Sequence, residues 1–277
     1  MKPKTIYTVL AVLVAIVVIA LALVTYKKAS GQTDVKPTEA TVFFHGYGSS
    51  RNAEQSMSRY LVDKGYSNRR INVTVSKDSK VSFNRKAAAG DKHPIYLVQF
   101  NDNSNTDFAK TTDWVDTIMT QLHEQGITKV NLIGHSMGNM AIVYYLKSHS
   151  QYPDNLPRVE RTIDIAGHFN GLRFQNDASA GLEANGMPSK ETDSYRSLAG
   201  LEKYYENNKT KVLNIYGDST GNGSDTTVPN NSSKSLRYFV RQPSTYQEKL
   251  ITGKQAQHSK LHENKEVDQA IYDFLTK

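Results

Sequence analysis

The chain has 277 residues, with 34 Lys and Arg against 27 Asp and Glu, and no cysteine. The missing cysteine excludes disulfides, thiolate metal sites, a cysteine nucleophile and a lipid anchor on an N-terminal cysteine, so any nucleophile is a hydroxyl, a carboxylate or an amine. Four units of the +7 net charge come from Lys2, Lys4, Lys27 and Lys28. The body is therefore only mildly basic, and without a long Lys/Arg run or an aromatic platform it argues against a nucleic-acid partner.

From Thr5 to Tyr26 the chain runs for 22 residues without a charge, rich in Val, Leu, Ile and Ala, between Lys2 and Lys4 on one side and Lys27 and Lys28 on the other. At about 1.5 Å per residue such a helix spans a hydrocarbon core of roughly 30 Å. A cleaved signal peptide is the competing reading, with Ala20-Leu21-Ala22 as a small-residue site, but the apolar run exceeds an h-region of about 7 to 15 residues. The preferred expectation is a single-pass membrane anchor over residues 1–28 with the body outside the cytoplasm. Secretion after cleavage is the alternative. Lysines at both ends nearly cancel the orienting bias. Residues 29–39 read as a polar linker, and residues 40–277 as the folded domain.

Strand-like and helix-like segments alternate through that domain, the pattern of a mostly parallel sheet flanked by helices. Thr41 to Phe44, Arg69 to Val75, Ile95 to Phe100, Lys129 to Ile133, Thr162 to Ala166, Val212 to Tyr216 and Tyr246 to Ile251 are the expected strands. Ala53 to Lys64 reads as a helix, and Trp114, Val115, Ile118, Met119 and Leu122 mark one face of another. Met140, Ala141, Val143, Tyr144 and Leu146 continue as a helix. Val267, Ala270, Ile271 and Phe274 fall at i, i+3, i+4 and i+7, the stripe of a closing helix. The polar stretch from His168 to Ser194 is expected as a lid or a substrate-facing loop.

Gly134-His135-Ser136-Met137-Gly138 follows a strand and opens a helix, the setting of a nucleophile elbow in which a tight turn lifts the serine hydroxyl above the sheet. Glycines flank such a turn because a side chain there would collide with the adjoining strand or helix. A serine hydroxyl needs a histidine base, which in turn needs a carboxylate to hold its tautomer, and in an α/β hydrolase the chain order is Ser, acid, His. His258 and His262 alone lie between the last strand and the closing helix. His258 is preferred as nearer the strand end, and His262 is expected one turn into the helix as a packing residue. A metal pair formed by His258 and His262 lacks an obvious third ligand. For the acid, Asp164, Asp218 and Asp225 are open, with Asp164 expected inside the sheet packing and Asp218 either at the acid position or capping its own turn. His45-Gly46-Tyr47-Gly48 follows the first strand, where a second oxyanion donor is expected. The backbone amides of Tyr47 and Met137 are the candidate pair, and the His45 and His135 side chains are expected to be structural.

Four segments together, Phe43 to Ser49, Asn131 to Gly138, Ser224 to Pro229 and His258 to Asn264, resemble the Gram-positive α/β-hydrolase family known as domain of unknown function nine-one-five. The resemblance covers the chain from about residue 40 to its end. It implies a carboxylesterase acting on short acyl esters, with Ser136 as nucleophile, Asp225 as acid and His258 as base. Asn139 departs from the small residue expected after the elbow and bears on how its helix packs. The expectation is thus an α/β-hydrolase fold behind one N-terminal transmembrane helix: a serine ester hydrolase with a small-molecule acyl ester as substrate, the membrane as partner through the N-terminal helix, and no metal or organic cofactor. Acyl transfer, or thioester or amide cleavage, by the same triad is the alternative within enzymes. A non-catalytic envelope-binding protein on this fold is the alternative outside them.

Overall fold

The computed structural model describes residues 12–23, 25, 35–151 and 153–277. In chain order the body contains β1 (Glu39–Phe44), α1 (Gln55–Asp63), β2 (Arg70–Val75), β3 (Val81–Phe83), β4 (Ile95–Phe100), α2 (Phe108–Glu124), β5 (Lys129–His135), α3 (Met137–Ser148) and β6 (Arg158–Ile165). There follow α4 (Asp193–Arg196), α5 (Leu201–Asn207), β7 (Lys211–Asp218), α6 (Asn230–Lys234), β8 (Thr245–Thr252) and α7 (Lys265–Thr276).

The eight strands form one sheet in the order β3-β2-β4-β1-β5-β6-β7-β8, parallel throughout except for the β2–β3 pair. Both faces are covered, which is why β1, β4 and β5 read as continuous apolar runs. Within β1, Val42 and Phe44 point to one core, with Trp114 of α2, Met140 of α3 and Tyr204 of α5. Phe43 points to the other, with Met57 and Leu61 of α1 and Ile271 of α7. Asp107 starts α2 by accepting from the backbone N–H groups of Ala109 and Lys110, at 3.0 and 3.1 Å.

Sequence periodicity located every strand except β3, whose three residues are too short to show alternation. The sixth strand begins at Arg158 rather than Thr162, because charged Arg158, Glu160 and Arg161 hide its start. The closing helix begins at Lys265, where the Asn264 side chain accepts from the Glu266 N–H at 2.8 Å. His262 is therefore not inside that helix but shares a 3-10 segment, His258–Glu263, with His258. Of the expected span from Thr5 to Tyr26, residues 12–23 are helical and exposed, with large apolar side chains from Val12 to Leu23 uncovered. Much of the rest of that span lies outside the described residues. Among the described residues no helix is long and apolar enough to cross a membrane.

At the switch in strand order, β1 lies between β4 and β5, and connections that leave the carboxyl ends of neighbouring strands in opposite directions open a crevice there. His45 to Tyr47 leave β1 at that edge, Ser136 leaves β5, and His168 follows β6. Asp225 lies beyond the end of β7 and His258 beyond the end of β8.

Candidate active site

Ser136 turns the chain from β5 into α3 with φ 53° and ψ −118°, a positive-φ conformation that costs a serine energy and that its surroundings must hold. The surroundings are close. A Cβ at Gly138 would lie 2.0 Å from the Phe44 carbonyl oxygen, and one at Gly134 would lie 2.5 Å from Asn139 Oδ1. The two glycines let β1, β5 and α3 approach until the turn has one path. Asn139, the departure from a small residue, has a structural use: its buried Nδ2 donates to the Ile165 carbonyl at 2.8 Å, beside the Ser136 N–H that donates to the same oxygen at 2.9 Å. Together these bonds tie the elbow to the end of β6.

The three residues expected to act together are together. His258 Nε2 lies 2.9 Å from Ser136 Oγ, and His258 Nδ1 lies 2.7 Å from Asp225 Oδ2. A carboxylate can only accept, so Nδ1 carries the proton and donates to Asp225, leaving the Nε2 lone pair to accept from the serine hydroxyl. Asp225 is 1% exposed, and its other oxygen accepts from the N–H groups of Thr227 and Val228 at 2.9 and 2.7 Å. Its carbonyl also accepts from the His258 N–H at 2.7 Å, so backbone and side chain both register His258 against Asp225. Gly217 makes that approach possible, since a Cβ there would lie 2.2 Å from the Ala256 carbonyl oxygen.

The competing aspartates are elsewhere. Asp218 accepts from the N–H groups of Gly221 and Gly223 at 2.7 and 3.2 Å and so caps its own loop. Asp164 is buried in the sheet packing, accepting from Thr162 Oγ1 at 3.0 Å, and burial pushes its carboxyl from 3.8 up to about 7.

Four more histidines surround the cluster. His45 Nδ1 donates to the Gly46 carbonyl at 2.8 Å while its Nε2 accepts from the Phe100 N–H at 3.1 Å, and burial lowers its pKa. His135 is 6% exposed, and its Nε2 donates to the His258 carbonyl at 3.0 Å. Its ring centroid lies 4.9 Å from those of both His258 and His262. Burial above all, then the neighbouring imidazoles, holds His135 well below the ordinary histidine range. Burial first and His258 second bring His168 down to about 4, and burial also lowers His262. His45 and His135 are thus buried and hydrogen-bonded beside the turn, whereas His262 Nδ1 is buried without a hydrogen-bond partner. The contact of His135 with the His258 carbonyl has no signal in sequence beyond its place next to Ser136.

The backbone N–H groups of Tyr47 and Met137 have no protein acceptor among the described residues, and Met137 begins α3, where the helix dipole favours an anion. Gly46 packs under the serine, its Cβ position 3.1 Å from Ser136 Cβ, which brings the Tyr47 peptide to the elbow. A cavity of about 730 Å³ opens on Ser136 and His258. His168, Leu172, Phe174, Gln175 and Ser194 line it, so the stretch from His168 to Ser194 faces the site, but periodicity could not tell which of its residues do so. Among the described residues no three His, Asp or Glu side chains gather to hold a metal ion.

A doubly covered, mostly parallel sheet with a positive-φ serine between β5 and α3 defines an α/β hydrolase. The chain belongs to the family described as alpha/beta hydrolases of unknown function (DUF915), whose profile matches residues 28–277. Among solved structures, the product of Listeria innocua gene lin2722 is 24% identical and superposes with a TM-score of 0.77, over 87% of this chain and 95% of its own. A Lactobacillus plantarum protein described as a cell surface hydrolase is 19% identical, with a TM-score of 0.66 over 87% of this chain and 91% of its own. Est1E from Butyrivibrio proteoclasticus is 13% identical, with a TM-score of 0.50 over 87% and 88%. At these identities the likeness establishes the fold. No curated protein matches the chain.

Proposed function

We propose that this hydrolase cleaves carboxylic esters of short acyl chains through an acyl-enzyme. The observation that carries the reading is the unbroken hydrogen-bonded path from Asp225 Oδ2 through His258 to Ser136 Oγ, at 2.7 and 2.9 Å. Ser136 Oγ attacks the acyl carbonyl as His258 Nε2 takes its proton. Asp225 holds the imidazole in the required tautomer and stabilises the imidazolium that forms. The carbonyl oxygen becomes an oxyanion that accepts from the N–H groups of Tyr47 and Met137, donors already oriented in a site largely shielded from water. His258 then protonates the leaving alkoxide. Water, deprotonated by the same histidine, releases the acid and restores the serine. The cavity, at about 730 Å³, lies within the roughly 300 to 1,000 Å³ of small-molecule sites and has room for the acyl and alcohol parts together. A non-catalytic binding role on this fold would leave the triad free to decay, yet all three members are present and joined.

In the same reading the chain is a single-pass membrane protein with its hydrolase domain outside the cytoplasm. The support is the uncharged stretch from Thr5 to Tyr26 and the uncovered apolar side chains of residues 12–23. Two experiments test the proposal. Full-length protein in detergent is expected to hydrolyse p-nitrophenyl acetate and butanoate; activity that Ser136→Ala retains would remove the reading. Full-length chain is expected in the membrane fraction and a chain beginning at Thr33 in the soluble one; a mature N-terminus after Ala22 or Ser30 would replace the anchor with a cleaved signal.

A further inference from the structure

The residues around the catalytic cavity share one chemical property. None of the described residues that line it is Lys, Arg, Asp or Glu, although those types make up 22% of the chain. Its wall consists of apolar or aromatic groups, chiefly Tyr47, Phe108, Leu172 and Phe174, with hydroxyls, Gln175 and histidines between them. His135, His168 and His262 add no positive charge at neutral pH, because burial lowers all three. The carboxylate behind the base is occupied, with one Asp225 oxygen on His258 and the other on two backbone N–H groups.

Arg173 and Asp102 line other cavities instead. In the run Leu172-Arg173-Phe174 the two apolar residues line the catalytic cavity, while Arg173 lines a separate cavity of about 330 Å³ with Asn222, Ser224 and Asn231. The Arg173 N–H donates to the Thr227 carbonyl at 2.9 Å, which fixes this alternation. Asp102 is paired with Lys110 at 3.1 Å and borders a different, small cavity. Phe174 is 81% exposed, a large apolar side chain uncovered at the mouth of a site.

We propose that this cavity selects uncharged esters and rejects esters of the same size that carry a carboxylate or a quaternary ammonium. The proposal rests on the ester-hydrolase reading and adds the substrate class. A charge carried into the cavity leaves water on binding without meeting a charged side chain of opposite sign among the lining residues, and the cost falls on the substrate complex from which the reaction starts. An uncharged chain instead covers Leu172 and Phe174 and gains apolar burial.

The test compares three substrates on the full chain in detergent: p-nitrophenyl butanoate, mono(p-nitrophenyl) succinate and p-nitrophenyl 4-(trimethylammonio)butanoate. Each rate is divided by the rate of alkaline hydrolysis of the same ester, to remove intrinsic reactivity. The kcat/KM of the two charged esters is expected to fall about a hundredfold below that of the butanoate. Charged esters within about threefold of the neutral one would overturn the proposal while leaving the ester hydrolase intact. No turnover of any of the three, with no labelling of Ser136 by a fluorophosphonate, would overturn the enzyme reading and the proposal together. In Phe174→Arg, where the exposed site tolerates the change, the succinate-to-butanoate ratio of kcat/KM is expected to rise about tenfold. An unchanged ratio in the folded variant would contradict the placement of Phe174 on the substrate's path.

Discussion

Ser136 and the glycines that shape its turn lie within one stretch of five residues, at the junction of β5 and α3. Asp225 and His258 meet across 33 residues, and His258 and Ser136 across 122. The first half of the site is fixed by close backbone approach, so tight that a Cβ added at Gly138 would lie 2.0 Å from the Phe44 carbonyl oxygen. The second half is fixed by hydrogen bonds between loops: Asp225 to Thr227 and Val228, the His258 N–H to the Asp225 carbonyl, and His135 to the His258 carbonyl. A site built this way keeps Ser136 rigid by sterics and His258 by polar contacts, so substitutions in the two halves should fail differently.

The largest effect is expected at the nucleophile. Ser136→Ala should lower turnover about a millionfold while leaving thermal stability within a few degrees, measured by ester hydrolysis and a melting curve. Next comes the acid: Asp225→Asn should cost about ten-thousandfold in kcat, because an amide facing Nδ1 favours the wrong tautomer, with the fold retained. Asp218→Asn should leave turnover nearly unchanged and lower only stability, since it caps a loop. The reverse pattern would move the acid to the end of β7.

A smaller effect sharpens the difference between the halves. His135→Leu removes the donor to the His258 carbonyl and should lower kcat about tenfold at unchanged KM, the scale of one lost hydrogen bond. His135→Gln, whose amide can still donate, should recover much of the loss. A fall in KM and kcat together, without recovery by glutamine, would make His135 a packing residue only.

The smallest expected effect lies in the sheet below the site. Folded Asp164 holds its proton to about pH 7, whereas the unfolded chain loses it near 3.8, so the folded protein binds the extra proton between those values and stability falls as pH rises through them. Buried His168, brought down to about 4 from 6.5, acts in the opposite sense, and stability from it rises with pH over that window. The difference in Tm between Asp164→Asn and the parent cancels the histidine contribution. It should become more positive by a few degrees from pH 5 to pH 8, at about 2 to 4 °C per kcal/mol for a domain of this size. A difference that does not change with pH would place an ionised Asp164 in the fold.

The two halves also differ in how well sequence reveals them. The elbow is legible because glycine, serine and glycine must be neighbours in the chain, between an apolar strand and a helix. The sheet is legible where a strand is buried on both faces, as at Ile95 to Phe100, and lost where charges interrupt it, as at Arg158 to Arg161. His258 could be picked from position because only two histidines follow the last strand. Spacing does not separate Asp225 from Asp218, since Asp218 ends β7 and Asp225 lies in the Gly-rich loop that follows directly, and it is resemblance to the family that points to Asp225. His168, Leu172 and Phe174 were hidden for a different reason: which side of an irregular loop faces a cavity depends on contacts such as the Arg173 N–H to the Thr227 carbonyl, and those have no period.

The most direct measurement is covalent labelling by a fluorophosphonate probe, read by intact mass and by the labelled peptide. One adduct per chain on Ser136, absent in Ser136→Ala and slowed by orders of magnitude in Asp225→Asn and His258→Ala, is the result expected of a serine activated through His258 and Asp225. Labelling at another residue, or no labelling of folded protein, would contradict the account at its centre.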